Sequence, residues 1–258
     1  MSKVWTVATN TFREAVRDRV LYNLVFFALL MMGAAILVGQ ISIGIEQSVI
    51  VSLGLTAISV IGIFIAVFIG VGLVSKEMDK RTLYALLAKP VKRWQFLLGK
   101  FVGLFMTLTV NTGAMTLGLY FALWMVKSPL TRNDWYLIVA VYLILLKLGL
   151  IVALAMLFSC FTTPFLAILF TLGLYVAGLF AQELRTMKAV SLSAAAMKMF
   201  RGISYVLPNF ANFNVMGTVA HERAVAGRLV LQDTEYALLY STMVLAAAAM
   251  IFSRRNLK

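Results

Sequence analysis

The feature that most constrains this chain is the recurrence of long apolar stretches almost free of charge, at 20–39, 53–74, 101–126, 136–158, 164–182 and 236–252. At about 1.5 Å per helical residue, a hydrocarbon core of about 30 Å is crossed by roughly 20 apolar residues. Five of the stretches meet or approach that length, and the last is shorter. The chain therefore reads as an all-α integral membrane protein with six transmembrane helices in one domain, 1–258. Composition supports this reading: 62% of the 258 residues are hydrophobic and 13% charged, against about 45–50% apolar in soluble proteins. Pro164 suits the first turn of the fifth span, where its missing N–H is no loss, and 159–163 is left as a tight turn.

The basic residues orient the bundle. With the N-terminus inside, 14 Lys and Arg fall in cytoplasmic segments and 8 in outer ones, so both termini are expected in the cytoplasm. The net charge of +13 lies beside the spans rather than among aromatics on a polar surface. Membrane lipid headgroups, not nucleic acid, are the expected counter-charge. Residues 1–19 gather Trp5, Ala8, Phe12, Ala15 and Val16 on one helical side and Lys3, Arg13, Glu14 and Arg17 on the other. This is the pattern of an interfacial helix lying flat on the membrane. Its acids and lack of an early apolar run do not fit a cleaved signal peptide.

Between the second and third spans, 76–100 carries seven of the 23 basic residues. Leu83, Leu86 and Leu87 stand at helical spacing, Pro90 pushes Lys89 out of the helical region, and Val91, Trp94 and Leu98 begin a second stripe. Two short helices with a break form an elbow able to dock on something outside the membrane; the alternative is a basic loop that only sets topology. Between the fifth and sixth spans, 183–234 contains apolar runs too short to cross, the Pro208 break and the aromatics Phe200, Tyr205, Phe210 and Phe213. It reads as re-entrant or interfacial helices capping the outer mouth, or else as an ordered outer loop without a gating role.

Several chemistries are excluded. All ten acids are expected outside the spans, which disfavours an ion-coupled carrier. One cysteine and one histidine build neither a disulfide nor a usual Cys/His metal site. No phosphate-binding loop is present, since Gly99-Lys100 is followed by Phe101, so the chain is expected to bind no ATP itself. Lys147 is the intramembrane exception. A charge at that depth costs at least about 2.5–3.5 kcal/mol, so its ammonium must find groups such as Asn111 or Thr112, or else line a path for an anionic substrate.

Glu77, Thr82-Leu83, Leu86-Leu87, Pro90-Val91, Arg93 and Leu98-Gly99-Lys100, with six spans and an amphipathic N-terminal helix, resemble the ABC-2-type (type V exporter) permeases. The stretch from Leu207-Pro208-Asn209-Phe210 to Phe213-Asn214 is similar to the outer loop of that family. Arg81 stands where many members carry Gly before the Thr-Leu pair. The resemblance implies a permease subunit of the cell (inner) membrane, without catalytic residues or a metal. It would pair with a second copy of itself as a homodimer and with separate ATPase subunits that hold ATP and Mg. It also implies that 76–100 is a coupling helix docking the ATPase through Glu77, Asp79, Arg81, Thr82, Leu83, Leu86, Pro90, Arg93 and Trp94. On the same analogy 159–163 is a minor second contact, Pro208, Asn209, Phe210 and Phe213 form an outer gate, and export is the direction. An ion-coupled carrier and a membrane scaffold or assembly protein stand as the other classes. Thr107, Thr109, Asn111, Thr112 and Thr116, with Lys147, weigh against a scaffold.

Overall fold

A computed structural model describes residues 3–17, 19–42, 44–79, 92–126, 132–186, 202, 207–221 and 223–254. Among them the regular structure is helical: α1 (Lys3–Val16), α2 (Arg19–Ile41), α3 (Glu46–Asp79), α4 (Arg93–Val126), α5 (Tyr136–Ser159), α6 (Pro164–Leu179), α7 (Ala181–Thr186), α8 (Met216–Ala220) and α9 (Gly227–Arg254). Four of these, α3, α4, α5 and α9, are long and apolar enough to cross a membrane; Leu29–Gly39 within α2 and all of α6 are shorter apolar helices.

α5 is the axis. It has no continuous polar face, and α3, α4, α6 and α9 pack around it. From Leu148 to Met156 its side chains are almost wholly buried. In a lipid solvent, helices gain little by hiding apolar surface from one another and associate through close packing at small residues. α3 supplies these at eight-residue spacing: Gly54 faces Leu119 of α4, while Gly62 and Gly70 face Leu148 and Ala155 of α5. A Cβ at Gly62 would come within 2.6 Å of Leu148 Cδ1. α2 lies on α3 and α4, and α1 lies on the first turns of α4.

Several sequence boundaries move. The outer segment expected at 40–52 shrinks to a turn between α2 and α3, because Glu46 already starts α3. Gly44 makes that turn with φ at +87°, a value side chains other than glycine seldom adopt. The second arm of the 76–100 elbow is not a separate short helix. Trp94 and Leu98 lie on α4, which runs unbroken from Arg93 through the expected third span. The last helix begins at Gly227 rather than near 236, and the fifth ends at Leu179, short of 182, where the 207–214 segment folds against it. The 159–163 turn is tight: Cys160 N–H bonds back to Met156 O, Thr162 N–H to Phe158 O, and Pro164 opens α6.

α1 also departs from expectation. Ala8 and Ala15, placed on the lipid-facing side by periodicity, are fully buried with Thr11 against protein. The reason is their size, since small side chains let α1 approach α4 closely, while Trp5 on the neighbouring edge stays exposed.

Candidate functional sites at the two ends of the bundle

At the end that carries the termini, the start of α4 is joined to two other helices. Arg93 Nη1 donates to the carbonyl oxygens of Phe252 at 2.9 Å and Ser253 at 3.1 Å. The last carbonyls of a helix have no partner within it, and a cation there is favoured by hydrogen bonding and by the helix dipole. The guanidinium also lies 5.8 Å from the Phe252 ring centre, and Phe96 stacks on the same ring at 6.3 Å. Two turns further along, Gly99 and Gly103 form a G-x-x-x-G seat for α1. A Cβ at Gly99 would meet Val7 Cβ at 2.6 Å, and one at Gly103 would meet the Ala8 carbonyl oxygen at 2.5 Å. Lys100, between them, is buried, with Nζ 3.8 Å from Glu14 Oε2 and 5.7 Å from the Phe96 ring centre. Arg93 to Gly103 thus fastens the last helix and the first to the segment that follows residue 91.

Of the residues expected to dock an ATPase, Arg93 faces α9 and Trp94 is half exposed beside it. Glu77 and Asp79 lie on the last turn of α3; their side chains, and the whole of Arg81, Thr82, Leu83, Leu86 and Pro90, lie outside the described residues.

At the opposite end the residues expected to form an outer gate come together as a buried cap. Pro208, Asn209, Phe210 and Phe213 are all buried. Phe210 N–H donates to Gly178 O at 3.2 Å, and its ring sits 5.1 Å from that of Tyr175. A side chain at position 178 would collide with the Pro208 carbonyl and the Phe210 ring, so glycine is what allows this contact. Asn209 N–H donates to Tyr236 Oη at 2.8 Å, while its own side chain accepts from Ala211 N–H and donates to Asn212 Oδ1. Phe213, Tyr236 and Tyr240 continue the ring stack. Nearby loops are pinned at Asp134, whose Oδ1 accepts from Gln47 Nε2 and whose carbonyl accepts from Tyr120 Oη. The remainder of the expected cap, 187–201 and 203–206, lies outside the described residues.

Between the two ends lies Lys147, 4% exposed, donating to Ser59 Oγ of α3 at 2.6 Å. The expected partners do not hold it. The Thr112 hydroxyl donates to the Leu108 and Thr109 carbonyls of its own helix, as Thr107, Thr109 and Thr116 do to carbonyls four residues back. A threonine in a helix can satisfy its hydroxyl this way, so the polar series is not by itself a polar path. Asn111 is buried, and its Nδ2 has no hydrogen-bond partner among the described residues.

One exclusion is corrected. Because α9 starts at Gly227 and α3 at Glu46, Asp233, Glu235 and Glu46 lie on helices of membrane-crossing length; Asp233 is 4% exposed, and its Oδ2 has no hydrogen-bond partner among the described residues.

Sequence reasoning passed over the roles of Gly99, Gly103, Glu14, Ser59 and Tyr236. The 99–103 G-x-x-x-G spacing was a readable signal for the first two. For Tyr236 and Ser59 no local signal exists, since their partners lie 27 and 88 residues away.

A family model described as "ABC-2 family transporter protein" matches residues 5–257. No individually curated protein matches the chain.

Proposed function

The chain belongs to the ABC-2 transporter family, and from that premise we propose that it is the permease subunit that a separate ATP-binding-cassette ATPase drives to export a substrate. The joint at the start of α4 is the observation that carries the reading. A push delivered to the segment before Arg93 has a direct route into α9, through the Arg93–carbonyl bonds, and into α1, through the Gly99–Gly103 seat and Lys100. A helix end tied to two others by hydrogen bonds and close backbone packing moves them as a unit instead of bending alone.

In this reading α2 to α6 and α9 make six crossings, with both termini in the cytoplasm of a cell-membrane protein, following the distribution of Lys and Arg. ATP and Mg stay on the ATPase, and a second copy of the chain completes the pathway as a homodimer. Lys147 and Asn111 contribute buried donors toward an anionic cargo, and the Pro208–Phe213 cap is the outer gate. The 80–91 segment, with Glu77, Asp79 and Pro90, is the docking surface.

Purification from native membranes tests the core of this reading. A nucleotide-binding subunit should come with the chain, and the pair should hydrolyse ATP in nanodiscs. Glu77→Lys should reduce that association, because an interface charge pair broken by reversal loses about 2–5 kcal/mol when desolvated. A chain that moves substrate on an ion gradient with no ATPase present would overturn it. For Lys147, the expected outcome of Lys147→Met is lost transport with assembly intact; full activity would make the lysine a tolerated structural charge.

A further inference from the structure

We propose that the groove between the first turns of α4 and the last turns of α9 binds the acyl chain of an anionic glycerophospholipid, whose headgroup rests against Lys92 beside Arg93. The half-open groove holds about 520 Å³ and is walled by Trp94, Leu98 and Phe101 of α4 and Leu245, Ala246 and Ala249 of α9. That volume is within the roughly 300–1,000 Å³ of small-ligand sites. Its origin is in the sequence. Large side chains at 94, 98 and 101 form one ridge at helical spacing, and the alanine run 246–249 opposite them leaves the space unfilled.

Its chemistry selects the occupant. Thr242 is the one polar wall residue, and its hydroxyl donates to the Leu238 carbonyl at 2.6 Å. A peptide backbone laid in such a wall would leave N–H and C=O groups unbonded, whereas a hydrocarbon chain has none to satisfy. The mouth is different. Trp94 is half exposed, Lys92 is exposed, and Arg93 lies between them at the level where α9 ends. Aromatic rings of this kind and cations mark the headgroup layer, and the cations attract anionic lipid. A second copy of the chain fits less well. A two-fold interface through this face would bring the Lys92 and Arg93 of both copies to the same depth, like charge toward like.

The proposal rests on the membrane placement of α4 and α9 that family membership implies, and not on the ATPase reading. Its test uses the assembled protein in phosphatidylcholine nanodiscs, with a trace of phosphatidylglycerol or phosphatidylcholine carrying a photoreactive acyl chain. The phosphatidylglycerol probe should label peptides containing 94–102 and 242–249 in preference to the rest of the membrane face. Ala249→Leu, which fills the groove, should lower that labelling about tenfold, the change that a loss of 1.4 kcal/mol in affinity produces. Lys92→Gln leaves the groove open and should abolish the preference for phosphatidylglycerol over phosphatidylcholine while chain labelling persists. Thermal stability of each variant separates loss of binding from loss of fold. Unchanged labelling in Ala249→Leu, equal labelling by both probes in wild type, or protein-to-protein crosslinks from this face in place of lipid would each overturn the proposal. ATP turnover does not enter the readout, so failure here leaves the transporter reading standing.

Discussion

At the end that carries Arg93, helices are joined by cations meeting backbone carbonyls and a carboxylate over glycine seats. At the end that carries Asn209, the 207–214 segment is joined to α6 and α9 by aromatic rings and neutral hydrogen bonds. The contrast follows from what each set of groups can tolerate. Arginine reaches the α9 carbonyls on a long stem, so those bonds persist through small side-chain readjustments, while the Gly99–Gly103 seat holds the α1 backbone directly. The cap has no such slack. The Asn209 N–H has one hydroxyl to satisfy it, and Phe210 fits only because position 178 has no side chain. Packed elements of that kind switch between arrangements instead of stretching.

The largest effect should come from filling a glycine seat. In Gly103→Leu the new Cβ meets the Ala8 carbonyl oxygen at 2.5 Å and Thr11 Cβ at 2.7 Å, and backbone cannot step aside as a flexible side chain can. We expect about 3 kcal/mol of destabilisation, the upper end of overpacking costs, with α1 released to protease. Gly178→Leu should destabilise the opposite end instead and expose 207–214. If both variants expose the same peptides, the two ends are not separate units.

Arg93→Ala comes next. It removes both bonds to the end of α9 and should cost about 2 kcal/mol, as expected for bonds to a charged group. Arg93→Lys should recover only part, because an ammonium lacks the planar fork that places Nη1 between two carbonyls. Amide exchange in the last turn of α9 should quicken in Arg93→Ala and stay slow in the cap. On the cap side, Tyr236→Phe strands the buried Asn209 N–H, for a loss of about 1–2 kcal/mol. Exchange at 209–213 reports it, and a melting temperature equal to wild type would show that water replaces the hydroxyl.

These asymmetries were legible in the sequence to different degrees. The long apolar helices α3, α4, α5 and α9 were plain because lipid allows the backbone few solutions, and an uncharged run near 20 residues admits little but a helix. Helix ends were not plain. α4 begins before Phe101 because helix persists beyond the hydrocarbon-length run where neighbours pack it, as Phe252 and α1 do; α9 begins before Tyr236 with first turns that are largely exposed. The aromatic and proline content of 207–214 signalled a cap, but Tyr236, which holds it, lies on a different helix, and no periodicity links residues 27 apart. Lys147 was identifiable as an isolated cation. Its partner was not, since Ser59 is one of several hydroxyls at comparable depth and only the register of α3 on α5, set by Gly62 and Gly70, selects it.

The smallest predicted change has the opposite sign and asks why α9 keeps a buried carboxylate near the cap. Asp233 is 4% exposed on α9, and its Oδ2 accepts no hydrogen bond among the described residues. A buried carboxylate oxygen without a hydrogen-bond partner is costly, and replacing the carboxyl by an amide of the same shape relieves part of that cost. Asp233→Asn should therefore raise the melting temperature, by the few degrees that about 1 kcal/mol produces in a chain of this size. Transport then decides what the carboxylate is for. A more stable and fully active variant would make Asp233 an unselected burden. A more stable variant that no longer transports would mean the charge is retained at the cap for work done when the cap opens, the familiar exchange of stability for function. Reduced stability would show that the carboxylate has a favourable partner after all, and the contrast between a charged joint and a neutral cap would have to be redrawn.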